Sequence, residues 1–91
     1  MPRQPRLNLP GNLFLIIARG IERREIFQDR EDRNNFLERL GQTLEKTRHQ
    51  CVAWVLMPNH FHLLIRSSEE TLSGLMARLM TSYAGYFNTA L

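Results

Sequence analysis

The sequence predicts an α+β fold, in which an antiparallel sheet carries two helices on one of its faces. Two observations support this prediction: two segments repeat apolar residues at helical spacing, and three shorter segments have strand character without that period. The elements follow one another as strand, helix, strand, strand and helix, so the two middle strands can form a hairpin. At 91 residues the chain is expected to be a single domain with a small core.

The first strand is predicted at residues 13–18, a continuous apolar run that is typical of a strand buried on both faces and that ends before Gly20. In the charged loop that follows, Ile26 and Phe27 are expected to fold back onto the core. Residues 1–11 contain three prolines and two arginines. This composition predicts an extended basic arm and not a regular element.

Both helices show a capping residue and an apolar stripe. Asp29 is suited to cap the first helix, which is expected to continue to about Arg48, and Thr71 is suited to cap the second, which runs nearly to Leu91. The apolar residues that define the two stripes are Phe36, Leu37, Leu40 and Leu44 in the first helix, and Leu72, Leu75, Met76, Leu79, Tyr83, Tyr86 and Phe87 in the second.

A hairpin is predicted between the helices. Residues 51–57 form a β-branched and aromatic run, Pro58 and Asn59 supply a tight turn, and residues 60–67 have strand character again. The order of elements matches most of a ferredoxin-like split βαβ unit without its closing strand. Because the chain stops at Leu91 directly after an amphipathic helix, we expect it to be part of a longer protein.

Composition limits the classes of function. The net charge is +3, and 11 of the 12 basic residues are arginine, a side chain suited to two-pronged contact with phosphate, although a solvated basic surface is an equally open interpretation. Cys51 is the only cysteine, so an internal disulfide is excluded and a reducing compartment is indicated. No apolar stretch has the length of a membrane span. A cytoplasmic protein is therefore expected.

His60 and His62 are the main candidates for chemistry. On a strand successive side chains alternate between faces, so both imidazoles are expected on one face while Phe61, Leu63 and Ile65 point into the core. A histidine pair alone is more often an ordinary surface feature, but here a turn precedes it and would hold it at a rigid strand end. Two imidazoles make half of a metal site, and further ligands must come from elsewhere.

These residues resemble a known family. Pro58-Asn59-His60-Phe61-His62-Leu63-Leu64-Ile65 is similar to the His-hydrophobe-His signature of the single-tyrosine transposases of the insertion-sequence type and their REP-associated relatives. The resemblance covers nearly the whole chain, through Arg19-Gly20, Arg23-Arg24, Ile26-Phe27, Asp29, Asp32, Phe36-Leu37, Leu40, Trp54 to Met57, Leu72-Ser73, Leu75-Met76, Tyr83 and Tyr86-Phe87-Asn88.

The resemblance implies a metal-dependent nuclease, usually dimeric, that cuts and rejoins single-stranded DNA beside hairpins. It implies that His60 and His62 hold a divalent ion such as Mg²⁺ or Mn²⁺ against the scissile phosphate. A tyrosine then displaces the 3′-hydroxyl and keeps the 5′-phosphate as a phosphotyrosine. Tyr83 and Tyr86 match a helix-core motif of the family and are minor candidates. The nucleophile, in a Tyr-x-x-x-Asn setting, is expected beyond Leu91, so the chain is expected to be inactive alone.

Contact with the DNA backbone is expected from arginines. The second helix departs from the family pattern, with Thr81, Ser82 and Ala84 where many relatives are basic, and the first strand has Leu15 and Ile16 where many have a His-Val pair. These departures weaken the expectation of tight contact by the second helix. The expected DNA-binding residues are Arg3, Arg6, Arg19, Arg23, Arg24 and Arg78.

Two other functions compete with this interpretation. A histidine-triad nucleotide hydrolase would need a third histidine on the same strand face, and Leu64 at that position counts heavily against it. A non-catalytic ferredoxin-like domain that binds DNA or regulates a sister transposase is favoured by the lack of an obvious nucleophile.

Overall fold

The structure, a computed structural model, describes residues 11–20 and 24–90. It contains β1 (Leu13–Arg19), α1 (Arg30–Thr47), β2 (Gln50–Met57), β3 (His60–Arg66) and α2 (Leu72–Ala90). The predicted order of elements is confirmed, and the observed ends of the first four elements lie within about two residues of the predicted ones. Apart from Gly11, the predicted basic arm lies outside the described residues.

The sheet has the strand order β1-β3-β2, and both pairs are antiparallel. Because β1 and β2 both run opposite to β3, they run parallel to each other, and α1 forms the crossover between them. In the sheet β3 lies between β1 and β2, the two strands that this crossover connects, which is the split βαβ arrangement. The α+β class is therefore confirmed, with the histidine-bearing strand at the centre of the sheet.

Both helices begin at the predicted caps. The Asp29 carboxylate accepts a hydrogen bond from the Asp32 backbone N–H at 2.9 Å, and the Asp32 carboxylate in turn accepts one from the N–H of Gln28 at 2.8 Å. Thr71 Oγ1 accepts a hydrogen bond from the N–H of Gly74 at 2.9 Å. The contacts made by Asp29 and Thr71 each satisfy a backbone donor that the first turn of a helix leaves unpaired.

The core lies between one face of the sheet and the two helices. Phe61, Leu63 and Ile65 of β3 are fully buried, as the alternation predicts, and Phe27 is only 1% exposed. The expectation that Phe27 folds back onto the core is therefore confirmed. The other buried apolar residues of this cluster are Phe36, Leu40, Leu75, Leu79 and Tyr83, and Ile26 packs against it while partly exposed.

No described residue covers the opposite face of the sheet, and this corrects the prediction for β1. Leu15 is 60% exposed and Ile17 is 52% exposed, so β1 is buried on one face only. A continuous apolar run does not distinguish a strand covered on both faces from an edge strand whose outer residues are also apolar. From the strand register, we define the open face as Leu13, Leu15, Ile17, Arg19, Ala53, Val55, Met57, His60, His62 and Leu64.

Candidate functional site

The two histidines lie together at one end of the open face. His60 is paired with Arg19 of β1 and Met57 of β2, and His62 is paired with Ile17 and Val55. Their ring centroids are 5.3 Å apart with an interplanar angle of 57°. Both side chains are half-buried. The prediction that alternation places both rings on the face opposite the core is confirmed.

The spacing of the rings is compatible with joint binding of one metal ion. Two imidazoles held side by side on one ion, with metal–nitrogen bonds of about 2.1 Å, have centroids roughly 4.5–5.5 Å apart, and the observed 5.3 Å lies in that range. Nitrogen ligands suit Mn²⁺ better than the harder Mg²⁺. Within the described residues, no group of three or more His, Cys, Asp or Glu side chains is placed to hold an ion. The described residues therefore offer His60 and His62 as a pair of candidate ligands, with no third side chain of these types beside them.

The turn before the histidines is held by backbone hydrogen bonds from the segment that follows β1. The N–H of Gly20 donates to the carbonyl of Asn59 at 2.8 Å, and the N–H groups of Ile26 and Phe27 donate to the carbonyl of Pro58 at 2.6 and 3.1 Å. We call these three bonds the turn clamp. These bonds tie the turn before His60 to a segment whose Phe27 side chain is buried in the core.

The two tyrosines lie on the helix side of the sheet, away from the histidines. Tyr83 is 3% exposed and its hydroxyl donates to the carbonyl of Ile26 at 2.7 Å, while the hydroxyl of Tyr86 donates to Asp32 Oδ1 at 2.9 Å. Burial raises the pKa of Tyr83 above its usual value. The hydrogen bond to Asp32 raises the pKa of Tyr86 to about 12. Both phenols are therefore held in the neutral form and already have acceptors.

A comparison with protein families decides the class of this chain. The family described as "Transposase IS200 like" matches residues 13–91, which include all five elements and the histidine pair. The chain belongs to the IS200-like transposase family. No curated protein and no solved structure matches it.

Membership of this family confirms the resemblance recognised in the sequence. It indicates a function of the transposase type and implies DNA as the partner. In the described part of this transposase-family chain, no helix is both long and apolar enough to cross a membrane.

The expected DNA-binding arginines of this transposase-family chain are divided between two surfaces. Arg19 lies beside His60 on the open face, and Arg24 is exposed in the following loop. Arg78 lies on the other side of the sheet, in a groove of about 480 Å³ between α1 and α2. Lys46 also lines this groove, and none of its described lining residues is a carboxylate. We call this the helix groove. The remaining three, Arg3, Arg6 and Arg23, lie outside the described residues.

Asn59 adjoins the histidine pair, although its place in the sequence predicts only a turn residue. Asn59 Oδ1 lies 2.9 Å from His60 Nδ1. The signal that could have revealed it is a polar amide directly before the first histidine. The third histidine, His49, directly precedes β2, at the end of the strand away from the pair. It is 4% exposed, and its Nδ1 lies 2.8 Å from Thr47 Oγ1. It is not part of the site.

Proposed function

We propose that this chain carries the metal-binding half of a nuclease site that cuts and rejoins single-stranded DNA beside hairpins. The observation that carries the proposal is the pair His60 and His62, converging on the open face of an IS200-like transposase domain. A divalent ion, Mn²⁺ or Mg²⁺, held by the two imidazoles would polarise an oxygen of the scissile phosphate and align it for in-line attack.

The chain's own residues would have distinct roles around that phosphate. His60 and His62 would each contribute one ring nitrogen to the ion. Arg19, the cross-strand partner of His60, would contact a phosphate oxygen and offset its charge, since cross-strand partners lie on the same face. None of the described residues covers the open face at this point, which leaves room for a strand of DNA.

The attacking group is proposed to be a tyrosine from outside these 91 residues. Its phenol oxygen would lose its proton and form a bond to phosphorus while the bond from phosphorus to the 3′-oxygen breaks. The 3′-oxygen would take up a proton and leave as a hydroxyl, and the phosphotyrosine would preserve a phosphodiester-type bond for rejoining. Tyr83 and Tyr86 are poor candidates because their hydroxyls donate to Ile26 and Asp32 on the helix side. We further propose that the active form is a dimer and works in the cytoplasm.

A second candidate function is DNA binding or regulation without cleavage. The observation that favours it is that both tyrosines in the chain are engaged on the side of the sheet away from the histidines. The two proposals differ in whether the histidine pair binds metal and DNA together.

Metal binding is tested by titrating Mn²⁺ into the chain and measuring the free ion by electron paramagnetic resonance. We expect one ion per chain, with affinity at least about tenfold lower in His60→Ala and in His62→Ala. His49→Gln is the matched control because it removes the one histidine outside the site. Equal Mn²⁺ affinity in wild type and His62→Ala would contradict the metal assignment.

DNA binding is tested by fluorescence anisotropy with a labelled hairpin that carries a single-stranded flank, against the same hairpin with a blunt end. Mn²⁺ is expected to strengthen binding of the flanked hairpin, and this effect should disappear in the histidine variants. Binding that is equally strong without Mn²⁺ would favour the non-catalytic function. A covalent adduct that is lost in Tyr83→Phe or Tyr86→Phe would refute the assignment of the nucleophile.

A further inference from the structure

We propose that Asn59 is a positioning residue, which holds His60 in the tautomer that carries its proton on Nδ1 and leaves Nε2 as the ligand nitrogen. The inference deepens the proposed function and rests on it for the identity of the ligand. Its basis is the distance of 2.9 Å between Asn59 Oδ1 and His60 Nδ1.

The chemistry of the two groups determines which nitrogen carries the proton. A neutral imidazole has one N–H donor and one nitrogen with a free lone pair, and an amide oxygen can only accept. Nδ1 of His60 must therefore donate to Oδ1 of Asn59, which places the lone pair on Nε2. An imidazole free in water favours the opposite tautomer, so the contact prepares His60 for a metal before any ion arrives.

The direction of the ring follows from the same contact. Nδ1 faces the turn, and Nε2, at the far side of the ring, points away from it. The ring of His62 lies 5.3 Å from that of His60, centroid to centroid. Without the contact to Asn59, either nitrogen of His60 could present its lone pair and the ring could rotate.

The turn has a conformation that needs outside support. Pro58 has a negative φ because of its ring, and Arg48 is the only non-glycine residue with positive φ in the described part of the chain, so Asn59 also has a negative φ. Two-residue hairpins usually require positive φ in the turn, since that matches the twist of the strands. The Pro58-Asn59 turn therefore depends on contacts with other segments.

The turn clamp provides this support without using the side chain of Asn59. Its bonds run from the N–H groups of Gly20, Ile26 and Phe27 to backbone carbonyls. Tyr83 extends the support, because its hydroxyl binds the carbonyl of Ile26. A Cβ at residue 20 would overlap the carbonyl oxygen of Arg24, so a glycine is needed for this close approach. Removing the Asn59 amide should therefore change His60 without unfolding the turn.

The tautomer is measured in the metal-free, ¹⁵N-labelled chain by long-range ¹H–¹⁵N correlation spectra at pH 8, above the ordinary titration range of histidine. In wild type we expect His60 with its proton on Nδ1. Asn59→Ala should move the proton largely to Nε2, and Asn59→Asp should keep it on Nδ1, because a carboxylate also accepts. The tautomer of His62 and the thermal midpoint of unfolding should change little in either variant.

The consequence for ligand binding is measured by Mn²⁺ titration of the same three proteins. Affinity should fall about tenfold in Asn59→Ala and be retained in Asn59→Asp. A wild-type His60 with its proton on Nε2, or an unchanged tautomer in Asn59→Ala, would overturn the inference. Failure of wild type to bind Mn²⁺ while the tautomers behave as expected would overturn the proposed metal function and leave the assignment of the tautomer standing.

Discussion

Replacing Phe27 by alanine is expected to lower the free energy of unfolding by about 3–5 kcal/mol, the usual range for a buried phenylalanine. The side chain is 1% exposed, and its ring centroid lies 5.1 Å from that of Phe36, 5.7 Å from Tyr83 and 6.3 Å from Phe61. Because aromatic pairs add about 0.5–1.5 kcal/mol beyond burial, three such contacts place the loss in the upper half of this range. The whole free energy of unfolding of a domain of this size is roughly 5–14 kcal/mol.

The loss is measured by urea unfolding followed by circular dichroism. With a slope of about 1.5 kcal/mol per molar urea, a loss of about 4 kcal/mol lowers the midpoint by roughly 2–3 M. Ile17→Ala is the matched control, since Ile17 is also apolar but is 52% exposed on the open face, and it should cost less than about 1 kcal/mol. Similar losses in both variants would refute the placement of Phe27 in the core and, with it, the anchor of the turn clamp.

Two further predictions concern His49 and the helix groove. Burial lowers the pKa of His49 in the folded chain, so on acidification the unfolded chain takes up this proton first. The free energy of unfolding should therefore fall as the pH drops below about 6.5 towards the lower pKa of the folded state. Urea unfolding at pH 8 and at pH 5 should show a smaller fall in His49→Gln than in wild type. The double variant Lys46→Gln, Arg78→Gln should bind a DNA hairpin more weakly, with a salt slope reduced by about 1.8, or roughly 0.9 for each lost phosphate contact. Fluorescence anisotropy at several salt concentrations measures this, with Arg30→Gln, Arg48→Gln as a control of equal charge.

An equal pH dependence of stability in wild type and His49→Gln would show that burial of this imidazole does not affect folding. Equal salt slopes for the groove variant and the control variant would show that Lys46 and Arg78 act only through net charge and that the helix groove makes no contact with the DNA backbone.

The order of elements and the helix starts could be predicted because they depend on local chemistry. Apolar spacing defines the stripes of α1 and α2, and the side chains of Asp29 and Thr71 satisfy donors only three residues away. The burial of β1 could not be predicted in the same way. Whether Leu15 and Ile17 are covered depends on elements far away in the chain, and here both helices pack on the other face.

The sequence by itself determined that His60 and His62 share a face, because the alternation of side chains along a strand is a property of the backbone. Only the tertiary structure decided which groups surround them. Arg19 reaches the pair through the register of β1 against β3, and Arg78 is separated from it by the sheet. Asn59 is adjacent in sequence, yet its contact with Nδ1 depends on the conformation of the turn, which hydrogen bonds from distant residues maintain. Local geometry can be deduced from the order of residues, whereas contacts between distant segments exist only once the chain has closed around its core.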